Sequence, residues 1–325
     1  MKATAVAPSN IAFTKYWGRK DEKLRLPANG SIAMCLSNLL TTTTVEFSPP
    51  LKKDQIIING VQETGEVERV IKHLDRIRKI AKINLRAKMV SNNNFPSGTG
   101  LASSASGFAA LTLAAIKAAR ISLSEKQVSI LARQGSGSAC RSIPGGFVEW
   151  LDGDSSETSH AIQIFPSNWW KIANVVAIIS QKRKEVSSSI GHQAAYSSPF
   201  MTTRVANMPE KNKLIKKLIK KKDFKKFGEL IEKEALEFHA ITLTQNPPLI
   251  YWTPGTVLLM KLIQKWRDEG LLVYFTLDTG QDIHLICEAK SVNKVKAKLT
   301  QIEEVKDIIV NTPGDGARLS KKHLF

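Results

Sequence analysis

Cysteine is scarce in this chain: three residues in 325, at positions 35, 140 and 287, with no Cys-x-x-Cys pair. That spacing supports neither a zinc site nor a disulfide network, so Cys35, Cys140 and Cys287 read as buried thiols. Long apolar runs are missing as well. No stretch of roughly eighteen or more apolar residues occurs, so no membrane-spanning helix is expected. Met1 to Ala12 also lacks the basic, then apolar, then small-residue order of a secretory leader, and the expectation is a cytoplasmic protein. Acidic residues are in deficit: 29 Asp and Glu against 47 Lys and Arg give a formal charge of +18. Such an excess suits a partner carrying phosphates, either nucleic acid or a small anionic substrate. The basic segments lack interleaved aromatics and any recognisable reading module, which weighs against nucleic acid.

What is present is enough apolar content, 42%, to fill two joined cores. The first 60 residues read as strands over Lys2 to Val6, Ser31 to Leu36, Thr41 to Phe47 and Gln55 to Ile58, the last ending at the turn signal Asn59-Gly60. Apolar residues spaced by three and four predict a helix over Val67 to Ile80. A second follows Ser103, over Ala105 to Ala119, and the pair Ser124 and Gln127 predicts a capping box opening a third through Arg133. Beyond Pro166 the texture changes, with an apolar strand Asn174 to Ile179 and a polar segment Gln181 to Ser189. A long helix is predicted over about Glu210 to Leu243, amphipathic with a solvated basic face between Lys211 and Lys226. A helix Gly255 to Glu269, a strand Leu271 to Leu277, a helix Val292 to Gln301 and a strand Asp307 to Val310 complete an α+β pattern.

The sharpest local feature is the glycine and serine loop from Asn92 to Ser106, which contains Asn94, Pro96, Gly98, Gly100, Leu101, Ser103, Ser104 and Ser106 and runs straight into an apolar helix. Its glycines permit close backbone approach, its hydroxyls donate, and a helix N-terminus supplies free N–H groups, a combination suited to a polyphosphate. A small-residue turn that merely caps a helix would look the same. No Gly-Lys-Ser/Thr follows, so this is not a Walker A loop, and it is not the dinucleotide G-x-G-x-x-G. Lys15, Tyr16, Arg19 and Lys20 cluster cations and a phenol in six residues, able to clamp an anion or simply to end a strand. Ser136, Ser138 and Arg141 combine hydroxyls with a guanidinium whose planar fork fits a carboxylate. Asp278 stands at the tip of the strand Val273 to Leu277, with Asp282 as a second acid nearby.

The run Pro96-x-x-x-Gly-Leu-x-Ser-Ser-Ala-Ser106 resembles the phosphate-binding signature of the GHMP kinases. Three further segments are similar to the diphosphomevalonate decarboxylase family within that superfamily: Asn10-Ile-Ala-Phe-Thr-Lys-Tyr-Trp-Gly18, Gly135-Ser-Gly-Ser-Ala-Cys-Arg-Ser142 with Gly145-Gly-Phe, and Pro247-Pro beside Phe238-His-Ala. The resemblance runs in patches from about residue 5 to about residue 317. It implies a two-lobed fold, with a ribosomal-protein-S5-like, ATP-binding lobe over residues 1–180 and a ferredoxin-like lobe over residues 181–325. It also implies ATP and Mg²⁺ as cofactors, no named metal ligands, and a homodimer with no nucleic-acid or membrane partner. The activity implied is ATP-dependent decarboxylation of mevalonate 5-diphosphate to isopentenyl diphosphate through phosphorylation of the 3-hydroxyl. Two relatives of the same fold stand as alternatives, a mevalonate 5-phosphate decarboxylase and a mevalonate 3-kinase, and a basic nucleic-acid-binding protein is the alternative outside enzymes.

Residue by residue, the resemblance assigns Asp278 to the substrate's tertiary hydroxyl, Lys15 to the side of that acid, Arg141 to the mevalonate carboxylate and Tyr16 to the diphosphate. Ser136 and Ser138 position phosphates, and Ser188 aligns with the serine near the substrate. This chain departs from the family pattern at four places: Arg19 replaces Lys, Ser189 replaces Arg, His192 replaces Met, and Asp278-Thr-Gly-Gln-Asp282 loses Pro-Asn. Lys182, Arg183 and Lys184 are near enough in sequence to supply compensating charge.

Overall fold

The computed structural model of the chain describes residues 1–62, 64–96, 100–180 and 188–325, without the side chains of Thr64, Ser188 and Ser189. It opens with β1 (Lys2–Ala12), a short hairpin of β2 (Arg19–Asp21) and β3 (Leu26–Pro27), β4 (Ser31–Ser48) and β5 (Gln55–Ile58). Next come α1 (Thr64–Ala81), β6 (Arg86–Asn93), α2 (Ser103–Ala118) and α3 (Glu125–Gly135), then a 3-10 turn over Gly137–Ser142, β7 (Phe147–Trp150) and β8 (Ala161–Phe165). The remainder runs β9 (Ile172–Ile178), α4 (Ser188–Ala194), α5 (Met201–Lys221), α6 (Phe224–Thr244), α7 (Pro254–Asp268), β10 (Val273–Thr276), β11 (Ile283–Glu288), α8 (Val292–Leu299), β12 (Asp307–Asn311) and β13 (Arg318–Ser320).

Two sheets organise these elements. In the first the order is β13-β1-β4-β6-β5, with β7 and β8 continuing from the other half of β4; in the second it is β10-β11-β9-β12. The α+β expectation holds. The strands predicted as Ser31 to Leu36 and Thr41 to Phe47 are one strand, β4, whose first half pairs with β7 and second half with β6. Between the halves Ser37 and Asn38 are polar for a tertiary reason: Ser37 N–H donates to Thr312 O and the Asn38 amide donates to Val310 O. The helix predicted over Glu210 to Leu243 is likewise two helices. Lys222 turns left-handed at φ 55° to end α5, and Asp223 caps α6 by accepting from Lys226 N. On the basic face, Lys211 and Lys216 are drawn into ion pairs with Glu234 and Glu149, whereas Lys213, Lys217, Lys220, Lys221 and Lys225 are exposed or half-buried.

Apolar burial fixes the layers. Val70, Leu74 and Ile77 of α1 and Phe108, Leu111 and Ala115 of α2 pack on Ala5, Val45 and Met89 of the first sheet. Leu259 and Ile263 of α7 and Val295 of α8 pack on Val175, Phe275 and Leu285 of the second. A third cluster joins the sheets, with Phe13, Ile32 and Phe147 meeting Ile178, Phe227 and Tyr274. Gly228 lets α6 approach β10, since a Cβ there would sit 1.9 Å from the Tyr274 ring. The chain's last strand, β13, returns to pair with β1. The expected lobe boundary at 180/181 adjoins residues 181–187, which lie outside the described residues. Among the described residues no helix is long and apolar enough to cross a membrane.

Candidate active site

Among the described residues, one cavity gathers positions far apart in sequence: Lys15, Tyr16 and Arg19, then Gly100, Ser103 and Ser104, then Ser136, Ser138 and Arg141, and finally His192 and Asp278. One wall is the start of α2. Its cap residue Ala102 is left-handed, at φ 52°, and carries no side-chain cap, so the first N–H groups of the helix are left to whatever enters the cavity. Gly100, at φ 113°, approaches the opposite lobe so closely that a Cβ would lie 2.6 Å from Gly280 Cα. That contact brings the cradle up against the turn that bears Asp278.

Asp278 lies two residues past β10, where Gly280 N–H donates to its main-chain oxygen at 2.9 Å. Lys15 Nζ donates to Asp278 Oδ1 at 2.7 Å and to Ala12 O at 2.6 Å. Burial by itself raises a carboxyl's pKa, but the charge and hydrogen bond of Lys15 outweigh it and hold Asp278 below its ordinary value. Burial pulls the Lys15 ammonium below its ordinary value, with Asp278 opposing. Asp278 is therefore an ionised carboxylate held by the buried Lys15. The Lys15 backbone is itself clamped: its N–H donates to Glu234 Oε1 at 2.9 Å, and its carbonyl accepts from Arg204 Nη2 at 3.1 Å and Asn29 Nδ2 at 3.0 Å. Glu234, fully buried, is neutralised by Arg204 and Lys211.

Arg141 is buried, yet its guanidinium is only partly used. Nε donates to Asn10 Oδ1 at 2.9 Å and Nη1 to Ser31 Oγ at 2.8 Å, and no described residue accepts from Nη2. Both hydrogen-bond acceptors are neutral and Asp278 acts on the guanidinium only through space, which leaves Arg141 able to take an anionic carboxylate. Burial, first among the causes, lowers its pKa. Tyr16 stands in an aromatic stack, with Trp150 at 4.6 Å and the His192 ring at 4.2 Å, and Arg19 Nε donates to its hydroxyl at 2.7 Å. Burial raises the Tyr16 pKa, with Arg19 opposing, so the hydroxyl stays protonated. His192 Nδ1 accepts from Gly18 N–H at 3.0 Å, and Trp17 closes its other face at 4.4 Å. Burial pushes the Cys35, Cys140 and Cys287 thiols up to about 12, so none is a nucleophile here.

Several predicted binding residues stand elsewhere. Asn94 accepts from Leu40 N at 2.8 Å and donates to Asn38 O at 2.9 Å, a bracket on β4. Leu101 is buried in the core between the sheets, and Ser106 Oγ is fully buried against Thr41 Oγ1 at 2.6 Å. Pro96 is half-buried and does not line the cavity. Loop composition, read as a phosphate cradle, does not tell which members face the cavity; the helical turn does that, pointing Ser103 and Ser104 outward and Ser106 inward. Asp282, the second acid, accepts from Ile179 N at 2.9 Å and is not part of the lining. Gly98, Lys182, Arg183 and Lys184 lie outside the described residues, and of Ser188 only its place at the start of α4 is described. Reading the sequence missed Arg25, Glu66 and Arg69 in the cavity wall, the cap position Ala102, and the Asn10 and Ser31 acceptors of Arg141. Arg69, at least, lay on a predicted helix among charged residues, where nothing separates a wall from a solvated face.

The chain is similar to known proteins over most of its length. Residues 7–161 match the family described as diphosphomevalonate decarboxylase-like N-terminal domain, and residues 174–319 match the mevalonate 5-diphosphate decarboxylase C-terminal domain. The diphosphomevalonate decarboxylase of Candida albicans is 36% identical over 315 residues, spanning 91% of this chain and 87% of that one. The Saccharomyces cerevisiae enzyme of the same name is 34% identical, spanning 91% and 80%. The solved structure of the mevalonate diphosphate decarboxylase from Staphylococcus aureus superposes with a TM-score of 0.93 at 37% identity over 98% of both chains. A structure of MDDEF in complex with MVAPP, AMPPCP and magnesium gives a TM-score of 0.93 at 37% identity over 99% of both chains.

Proposed function

The chain belongs to the diphosphomevalonate decarboxylase family, and from that premise we propose that its cavity converts mevalonate 5-diphosphate and ATP to isopentenyl diphosphate, ADP, phosphate and CO₂. The observation that carries this reading is the convergence in one cavity of an ionised Asp278 held by Lys15, an incompletely paired Arg141, and the open N-terminus of α2.

The nucleotide's phosphates lie on the α2 N-terminus, with the Ser103 and Ser104 hydroxyls beside them. Asp278 orients the C3 hydroxyl and takes its proton as the oxygen attacks the γ-phosphorus and the bond to ADP breaks. Lys15 keeps Asp278 ionised before that transfer. Arg141 holds the carboxylate through the Nη2 edge that Asn10 and Ser31 leave open. The C3–O bond then breaks, phosphate departs with the electron pair, and the electrons of the bond to the carboxylate form the alkene as CO₂ leaves. Among the described residues no group of three or more acidic, His or Cys side chains could cage a metal. The oxygen donors of the cradle, the Ser103 and Ser104 hydroxyls, suit a hard cation such as Mg²⁺, which bound there with the nucleotide would neutralise phosphate charge.

The same reading divides the chain into an ATP-binding lobe, residues 1–180, and a lobe carrying Asp278, residues 181–325. It extends to a cytoplasmic homodimer that acts on a phosphorylated mevalonate and on no nucleic acid. The test is an assay of purified protein with ATP, Mg²⁺ and, separately, mevalonate, its 5-phosphate and its 5-diphosphate. CO₂ release with the diphosphate is expected. ADP formation without CO₂ would mean a 3-kinase, and CO₂ from the monophosphate alone would mean the other decarboxylase.

A further inference from the structure

Arg19, Arg25 and Arg69 share one part of the cavity wall, and among the described residues only Arg19 and Arg69 have counter-ions there. Arg19 pairs with Glu22, and Arg69 Nη1 donates to both carboxylate oxygens of Glu66, at 2.9 and 2.7 Å. Arg25 lines the same cavity, half-buried, and its guanidinium makes no hydrogen bond or ion pair with any described residue. Partial burial, then the charges of Arg19 and Arg69, lower its pKa to about 10, so it remains cationic at neutral pH. A protein gains nothing in stability by holding a third guanidinium against two others without an anion.

The position of Arg25 is built. It sits in the turn of the β2-β3 hairpin, with its backbone left-handed at φ 53°, a conformation that disfavours side chains with a Cβ. The hairpin that presents it also presents Arg19, whose Nε holds the Tyr16 hydroxyl, and Arg25 lies near enough to act on the charge of that hydroxyl. It therefore belongs to the Tyr16 end of the cavity rather than to the Ser103 and Ser104 cradle.

We propose that Arg25 is a specificity-determining residue that binds the terminal phosphate of the diphosphate substrate. This rests on the function proposed above and on the resemblance that assigns Tyr16, whose hydroxyl accepts from Arg19, to the diphosphate. The first phosphoryl group is met by the Tyr16 and Arg19 pair. A second, further along the chain of phosphates, supplies the anion that Arg25 lacks. A monophosphate leaves Arg25 unsatisfied, so the residue discriminates between the two esters.

The test compares the wild type with Arg25→Met, which keeps the apolar stem and removes the charge, and with Arg25→Lys. Steady-state kinetics are read separately for mevalonate 5-diphosphate, its 5-phosphate and ATP. Arg25→Met should raise KM for the diphosphate about 10- to 100-fold, the range for a charged hydrogen bond lost, with kcat and KM for ATP little changed. Preference for diphosphate over monophosphate should shrink by the same factor, and Arg25→Lys should restore most of it. An unchanged KM for the diphosphate overturns the proposal, as does a rise confined to KM for ATP or an equal loss with both esters. Should the Met variant fail to fold, Arg25→Gln is read for the same split. A wild type inactive on the diphosphate would overturn the functional reading itself; an active wild type with an indifferent Arg25 overturns this inference alone.

Discussion

Asp278 is separated from Lys15 by 263 positions in the chain, and their 2.7 Å contact gives the residue-scale chemistry its shape. An ammonium so near keeps the carboxylate ionised in a site whose burial would otherwise neutralise it. Asp278→Asn retains size and hydrogen bonding but removes the carboxylate proposed as the base. The expected loss in kcat is about 100- to 10,000-fold, the usual range for a positioned general base, with ATP affinity nearly intact. Steady-state rates and a nucleotide titration check this together; turnover close to wild type would remove Asp278 from the reaction. At this scale the sequence revealed residue types well and environments poorly. Asp278, Lys15, Tyr16 and Arg141 were legible from motif and resemblance. That Arg141 binds Asn10 and Ser31, or that Arg25 lacks a counter-ion among the described residues, depends on neighbours 110 or more positions apart or on a turn geometry no local pattern encodes.

Helix starts tell the element-scale story. α3 opens on the capping box of Ser124 and Gln127, as predicted, and α7 opens on the corresponding box of Thr253 and Thr256. By contrast α2 has no side-chain cap, and its first turn faces the cavity. An Ala102→Asp variant separates the two uses of a helix start. A cap contributes about 0.5–2 kcal/mol to a helix, so the melting temperature should hold or rise. A carboxylate in the cradle should repel the nucleotide and raise KM for ATP about tenfold or more. If KM for ATP stays put while the variant is folded, phosphates bind elsewhere. The misread elements failed for related reasons. β4 looked broken because Ser37 and Asn38 are polar, but their partners come from the chain's far end. The join between α5 and α6 was hidden because Lys222, rather than Gly, takes the left-handed position.

At the scale of the whole molecule, burial of histidine sets the response to acid. His73, His239 and His284 are buried, and burial is the leading cause that lowers their pKa values from 6.5 to about 3, about 3 and about 4. An unfolded chain binds protons at these residues below pH 6.5 that the native state refuses. Stability must therefore fall as pH drops from 6.5 towards 4, by at most about 4 kcal/mol per pH unit if all three act together. The depressed carboxylates of Asp278 and Glu234 add stability that is present above their ordinary pKa values and lost as pH falls through the lowered ones. Thermal melts between pH 7.5 and 4.5 should show a steep decline starting near 6.5. A melting temperature flat down to pH 5 would mean that these rings are protonated, or exposed, in the native state.

What the sequence determined by itself was local. Hydrophobic periodicity and capping residues specified α1, α3 and α7, because these depend on residues three and four apart. The glycine and serine run and the cationic cluster at Lys15 to Lys20 pointed to segments that do reach the cavity. Tertiary structure decided which of those residues look into the cavity. Ser104 and Ser106 are two positions apart and chemically identical, yet one is exposed at the cavity wall and the other is sealed against Thr41. It also decided which charges are paired, since an ion pair is made by the approach of elements rather than by composition. Lys15 and Asp278 meet across 263 positions, whereas Arg25 finds no counter-ion among the described residues.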